Sequence, residues 1–190
     1  MRIRDASTLT LALAFALWGA ACTSSDEGGE AEAPAEAPAA EAAGPEMPAE
    51  LTGEGVWAFL TEHQYESWAT WPGKGERYEG GAPHGALLTT YLNEVAAEAL
   101  ANHAGAMPVG AIVVKNNYMP DGTLAAVTAM VKTEDFNPEH NNWWFMKRNA
   151  DGSFDAQGRF AGCEGCHGAM KDNDYIMTGS LSAAAEGEGQ

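Results

Sequence analysis

AIVVKNNYMPDGTLAAVTAMVK, residues 111–132, reads as a β-hairpin. Ala111 to Tyr118 and Thr123 to Lys132 are rich in Val, Ile and Thr, side chains that suit a pleated surface. Between them, Pro120-Asp121-Gly122 supplies turn chemistry. Working outward toward the C-terminus, residues 133–142 form a polar loop, Trp143 to Arg148 (WWFMKR) is another strand, and Asp151-Gly152 marks a second turn. Toward the N-terminus, His84 to Leu92 (HGALLTTYL) reads as a strand, and Glu94 to His103 (EVAAEALANH) as a helix strong in Ala, Glu and Leu. Residues 74–83 form a polar, Gly-rich loop. Gly55 to Trp71 carries Val56, Phe59 and Leu60, then Tyr65 and Trp68, at helical spacing, which predicts one helix or two short ones. Trp71-Pro72-Gly73 ends that segment. There are no internal repeats. Short strands joined by turns, with helices at the edges, predict an α+β domain, a mainly antiparallel β-sheet with flanking helices.

The flanks have a different composition. Arg2 and Arg4 precede an apolar run from Leu9 to Trp18, too short to span a bilayer, and small residues Gly19, Ala20 and Ala21 follow. Residues 1–21 therefore read as a secretory signal peptide of bacterial type. Cys22 comes next, at the place of the lipidated cysteine of a bacterial lipoprotein, although Gly19 stands where leucine is usual in that box. The alternative is ordinary cleavage beside an odd, exposed thiol. Residues 22–52 are an acidic Ala/Pro/Glu-rich tether: between Cys22 and Glu50 there is no Lys or Arg. Such a segment buries too little apolar area to offset its ordering entropy, so disorder is expected. The folded domain is expected over residues 53–180 and a disordered tail over 181–190. The chain is then exported, periplasmic, and touches a membrane only through a lipid on Cys22, at the outer membrane.

Acidic residues number 27 against 10 basic ones, for a net charge of −17. That argues against nucleic acid and anionic lipid as partners, both of which need a basic surface. The acid is densest in tether and tail, so a basic redox partner is only weakly suggested.

Three cysteines exclude a dense disulfide scaffold. Two of them fall in Cys163-Glu164-Gly165-Cys166-His167, the C-x-x-C-H attachment signature of c-type haem. Two thiols three residues apart lie on one side of a helical turn, within reach of two vinyl groups on one porphyrin edge. His167 then offers its imidazole to the iron as proximal ligand. One motif predicts one haem c, attached covalently near the C-terminus. The alternatives are a thioredoxin-like redox pair, which wants a βαβ setting that the hairpins do not give, and a zinc site, which wants a second ligand pair that the chain lacks.

From about Tyr65 to Thr178 the chain resembles the cytochrome P-460 / cytochrome c′-beta family, mono-haem cytochromes built on β-sheet. The resemblance rests on Gly110-Ala111-Ile112-Val113-Val114-Lys115, Met130-Val131-Lys132, Asn142-Trp143-Trp144-Phe145, the C-x-x-C-H motif, and the closing Asp174-Tyr175-Ile176-Met177-Thr178. It implies a homodimer, a largely antiparallel β-domain and one haem c. It also implies a choice between hydroxylamine-oxidising enzymes, in which a lysine is cross-linked to the porphyrin, and gas-binding proteins without that link. Lys115 stands at the position of the cross-linking lysine; otherwise it is a solvated strand lysine. Asn116 follows it where the family often has Glu.

Two departures bear on function. Hydroxylamine-oxidising relatives use a carboxylate just upstream of the haem motif as proton acceptor, whereas this chain has Gly158-Arg159-Phe160-Ala161-Gly162 there, with Asp155 the nearest acid. Eight residues before the lysine, the family tends to place a phenylalanine capping the distal face. Here that residue is Met107, either a second iron ligand or an apolar cap. Further candidates for the sixth position are Met119, Met130, Met146, His84 and His103. Met130 and Met146 read as core, His103 as a helix-end cation, and His84 as an exposed loop residue. Trp68, Trp71, Trp143 and Trp144 read as one cluster in the core or at a dimer interface. The sequence thus favours a non-enzymatic haem protein acting in electron transfer or nitric oxide binding, with a redox protein or small gas as partner. The alternative is a lysine-cross-linked enzyme oxidising hydroxylamine or nitric oxide.

Overall fold

A computed structural model describes residues 46–183. The expected signal peptide, Cys22, the tether as far as residue 45, and residues 184–190 lie outside the described residues. Helix α1 spans Gly53–Glu62. Thr52 caps it, its hydroxyl accepting from the Gly55 N–H at 3.0 Å. A 3₁₀ turn at Tyr65–Ser67 follows, so the segment expected as one helix or two is one helix and one tight turn. Seven strands follow the order β1 (Ala69–Thr70), β2 (Tyr78–Glu79), β3 (Leu87–Leu92), β4 (Ile112–Tyr118), β5 (Leu124–Lys132), β6 (Trp143–Asn149) and β7 (Phe154–Gly158). Helix α2 (Glu94–Ala101) links β3 to β4, and α3 (Ala161–His167) follows β7.

The strands form one antiparallel sheet in the order β1-β3-β4-β5-β6-β7, with β2 also pairing on β3. The hairpin read from residues 111–132 is its centre: Ile112 pairs with Val131 and Val113 with Met130. The α+β expectation therefore holds. Three segments differ from it. Strand β7 was not legible, because Phe154-Asp155-Ala156-Gln157-Gly158 has little β-branched content; its pairing with β6 holds it, with Met146 opposite Gln157. Strand β2 lies in the segment expected as loop and is held by Leu88 and Leu87 opposite it. The strand expected from His84 begins only at Leu87, which leaves His84 off the sheet.

Both faces of the sheet are covered, which is why β3 to β6 read as near-continuous apolar runs. On one face Tyr91, Val114, Ala129, Met146 and Trp144 pack against Val56 and Leu60 of α1. On the other, Leu92, Val113, Met130 and Phe145 pack with Ala96, Ala99 and Leu100 of α2. The tryptophans are divided between the faces, Trp71 and Trp143 on one, Trp144 and Trp68 on the other. Adjacent strand residues point to opposite faces, so Trp143 and Trp144 cannot share a cluster. The fold also extends past the expected bounds. Met47 and Leu51 pack on the core, Leu181 is 1% exposed, and Ser182 bridges Ala104.

Asn93 joins α2 to the sheet. Its Oδ1 accepts from the Ala96 N–H, capping the helix, and from the Ile112 N–H at the start of β4. Its Nδ2 donates to the Gly110 carbonyl at 2.7 Å.

Candidate functional site

The face covered by α2 continues down the strands into a more polar row. In register across the sheet lie Thr90, Lys115, Thr128, Lys147 and Ala156. Helix α3 and the segment after it roof this row, leaving a cavity of about 350 Å³. Val113, Met130, Phe145 and Ile176 line its apolar part, and Phe160 and Met177 are exposed hydrophobic residues among its walls. Cys163, Cys166, His167, His84 and Lys115 line it too. An apolar cleft with few convergent polar groups is the form expected of a cofactor site.

Cys163 and Cys166 fall in α3, which ends at His167, and both are free thiols. Burial pushes the Cys163 thiol up, the opposite of the lowered value of a redox-active C-x-x-C pair. Among the described residues no group of three or more His, Cys, Asp or Glu side chains is placed to hold a metal ion. The raised thiol weakens the thiol-redox alternative.

His167 is 8% exposed. Its Nδ1 lies 2.7 Å from the Tyr175 carbonyl oxygen, which can only accept, so in the neutral ring Nδ1 carries the proton and Nε2 keeps its lone pair. Burial holds its basicity below the usual histidine value. The Tyr175 carbonyl is itself fixed by its neighbour. Asp174 is buried, and its carboxylate accepts from Lys132 Nζ at 2.7 Å, the Met107 N–H at 2.8 Å and Asn141 Nδ2 at 3.0 Å. Trp143 Nε1 donates to the Asp174 carbonyl at 2.9 Å. Asp174 and Tyr175 both have positive φ, 50° and 66°, an uncommon conformation that these bonds hold in place.

Met107 is not where the sequence expectation needs it. It is 2% exposed, buried in the core cluster that includes Leu100, Trp143 and Tyr175, and it is not among the residues lining the cavity. The bond from its N–H to Asp174 pins that loop into the core, beside the segment that follows the C-x-x-C-H turn. Met119 is exposed at the β4–β5 turn and His103 is exposed after α2. Met130 and Met146 are buried strand residues and also line the cavity.

His84 is the residue that sequence reasoning placed wrongly. It is half-buried, not exposed, and its ring centroid lies 6.3 Å from that of His167, with the planes at 85°. Its Nδ1 is 2.9 Å from Asn117 Oδ1. Burial and Lys115 lower its basicity to about 4, so it is neutral at pH 7. No sequence signal separates this histidine from a loop histidine; only the return of its loop onto β4 does.

Lys115 lines the cavity, and burial lowers its ammonium to about 8. Among the described residues, Asp155 is the only carboxylate on the cavity wall. It is paired with Lys147 at 2.8 Å and accepts from Asn149 at 2.8 Å, bonds that lower its carboxyl further.

The fold and site define an antiparallel-sheet protein with a part-apolar cofactor cleft ending in C-x-x-C-H. The sequence profile of the family Cytochrome P460 matches residues 62–178, and the chain belongs to that family. Membership carries a c-type haem cofactor, and an apolar cleft with two thiols and a neutral imidazole fits such a group. A comparison with curated proteins finds no match.

Proposed function

We propose that the protein is an exported mono-haem cytochrome c acting without catalysis, in electron transfer or nitric oxide binding. The observation that carries this reading is the cavity wall. It brings two thiols and a neutral imidazole together but, among the described residues, offers no free carboxylate to act as proton acceptor. Cys163 and Cys166 would hold the haem through thioethers and His167 Nε2 would ligate the iron. When bound, haem supplies a one-electron iron couple and a coordination position for a small gas. Tyr175 orients the imidazole and strengthens its donation through the Nδ1 hydrogen bond. Phe145, whose ring centroid is 5.5 Å from that of His167, limits its rotation and excludes water. Asp155, ion-paired and unusually acidic, is a poor base for oxidising hydroxylamine. The wider setting we propose is periplasmic, with Cys22 as lipid anchor, a homodimer, and a redox protein as partner.

A second reading has one observation in its favour. Lys115 sits on the cavity wall with a lowered ammonium, and a neutral amine is the form that can bond to a porphyrin carbon. This is the cross-linked enzyme that oxidises hydroxylamine or nitric oxide.

Absorption spectra of protein matured with haem c, oxidised and reduced, test the first reading. A Soret band retained after denaturation and acid extraction is expected; a spectrum without one overturns it. Peptide mapping separates the two readings. A Lys115 peptide released free of porphyrin excludes the cross-linked enzyme, and a porphyrin-bearing one excludes the simple cytochrome.

A further inference from the structure

Two histidines face one cavity, and both are prepared in the same way. The Nδ1 of His167 donates to a backbone carbonyl. The Nδ1 of His84 meets Asn117 Oδ1, and the orientation of that amide is fixed by its surroundings. Asn117 Nδ2 donates to the Lys115 carbonyl at 3.0 Å and the Ala126 carbonyl at 3.2 Å, so the nitrogen side of the amide is committed to the β4–β5 ladder. The oxygen that remains can only accept, which puts the proton of His84 on Nδ1 and leaves Nε2 with a free lone pair. Asn117 is itself 3% exposed, so the acceptor is built into the sheet.

The separation of the rings is also informative. A metal–imidazole bond of about 2 Å and about 1.2 Å from nitrogen to ring centre put two imidazoles on opposite sides of one metal with centroids roughly 6.4 Å apart. The centroids of His84 and His167 are 6.3 Å apart. A gas molecule held between iron and a distal histidine needs a wider gap than this. The two rings are anchored independently, His84 over Asn117 and Thr128 on β4 and β5, His167 beside Phe145 on β6. Met107, the other candidate, is in the core.

We propose that His84 is the second axial ligand of the haem iron, making a six-coordinate, bis-histidine centre. This inference rests on the reading of Cys163, Cys166 and His167 as the haem site. It deepens that reading toward electron transfer, because a protein ligand fills the position a gas would take. A gas binds such a centre only in the fraction of molecules from which His84 has dissociated, which lowers its apparent affinity by that fraction.

The test uses full-length holoprotein matured with haem c, read by absorption and electron paramagnetic resonance. Low-spin wild-type protein in both oxidation states is expected. His84→Ala is expected to become high-spin, to recover the low-spin spectrum on addition of imidazole, and to bind carbon monoxide about tenfold or more faster when reduced. His84→Met is the second variant, should the alanine protein not fold: its low-spin spectrum changes to that of a histidine–methionine pair or is lost. A high-spin wild-type spectrum overturns the proposal, and so does a low-spin spectrum unaltered in either variant. A wild-type protein with no Soret band overturns the haem reading itself, an outcome distinct from these.

Discussion

His167 Nδ1 donates to the carbonyl oxygen of Tyr175 at 2.7 Å, so the residue that ends α3 is oriented by a peptide eight positions further along the chain. That peptide is held in turn by Asp174, which gathers donors from the loop before β4, the end of β5, the loop before β6 and the indole of Trp143. The site is thus fixed from the sheet through one buried carboxylate.

Asp174→Ala should therefore weaken both fold and site. It leaves the Lys132 side chain, 12% exposed, without its partner. Loss of one member of a buried pair costs about 3–5 kcal/mol. Urea unfolding should show a loss of this size, and Asp174→Asn, which keeps an acceptor oxygen, a smaller one. A change below about 1 kcal/mol in the alanine variant would contradict the role given to this carboxylate.

Lys115 gives a pH dependence with a definite sign. Burial lowers its folded-state value from 10.5 to about 8. Between these values the unfolded chain binds more protons, so stability of the haem-free protein should rise with pH from about 8 to about 10.5. Below about 8 the cost of the buried charge is constant, and above about 10.5 it is absent. Lys115→Met should remove this rise and stabilise the haem-free protein at pH 7 by about 1–3 kcal/mol. Thermal melts of both proteins across pH 7 to 11 check it, and parallel curves would refute it.

The hairpin of residues 111–132 and the C-x-x-C-H turn were legible because each is a local pattern: two runs rich in β-branched residues around a turn, and two thiols with a histidine at fixed spacing. Trp143 and Trp144 were legible as core but not as belonging to opposite faces, which needs the strand register. The placement of His84 on the cavity wall was not legible because it depends on contacts with Asn117 and Thr128, 33 and 44 positions away. The place of Met107 was not legible for the complementary reason. Sequence distance from Lys115 says nothing of which side of the sheet's edge a loop is tied to, and here Asp174 ties it into the core. Strand β7 has no signal of its own and exists because β6 offers it an edge.

Cys163 and Cys166 should be separable by substitution. Cys163→Ser or Cys166→Ser leaves one thiol on the α3 turn, so haem should remain bound through a single thioether, with a shifted reduced spectrum. The double variant should release haem completely to acidified organic solvent. Extraction followed by absorbance of both phases measures this, and covalent haem in the double variant would mean that the C-x-x-C turn is not the attachment point.

Met107→Leu distinguishes a core residue from a ligand. Met107 is 2% exposed among Leu100, Trp143 and Tyr175, and its contribution to Asp174 is a backbone N–H that leucine keeps. Exchange of methionine for leucine conserves volume and costs less than about 1.5 kcal/mol in a packed core. The expected result is a small loss of stability by denaturant titration, with absorption spectra unchanged in both oxidation states. Were the sulfur bound to iron, the substitution would alter the low-spin spectrum and shift the reduction potential. Either change would move Met107 from the core to the haem and displace His84 as the second ligand.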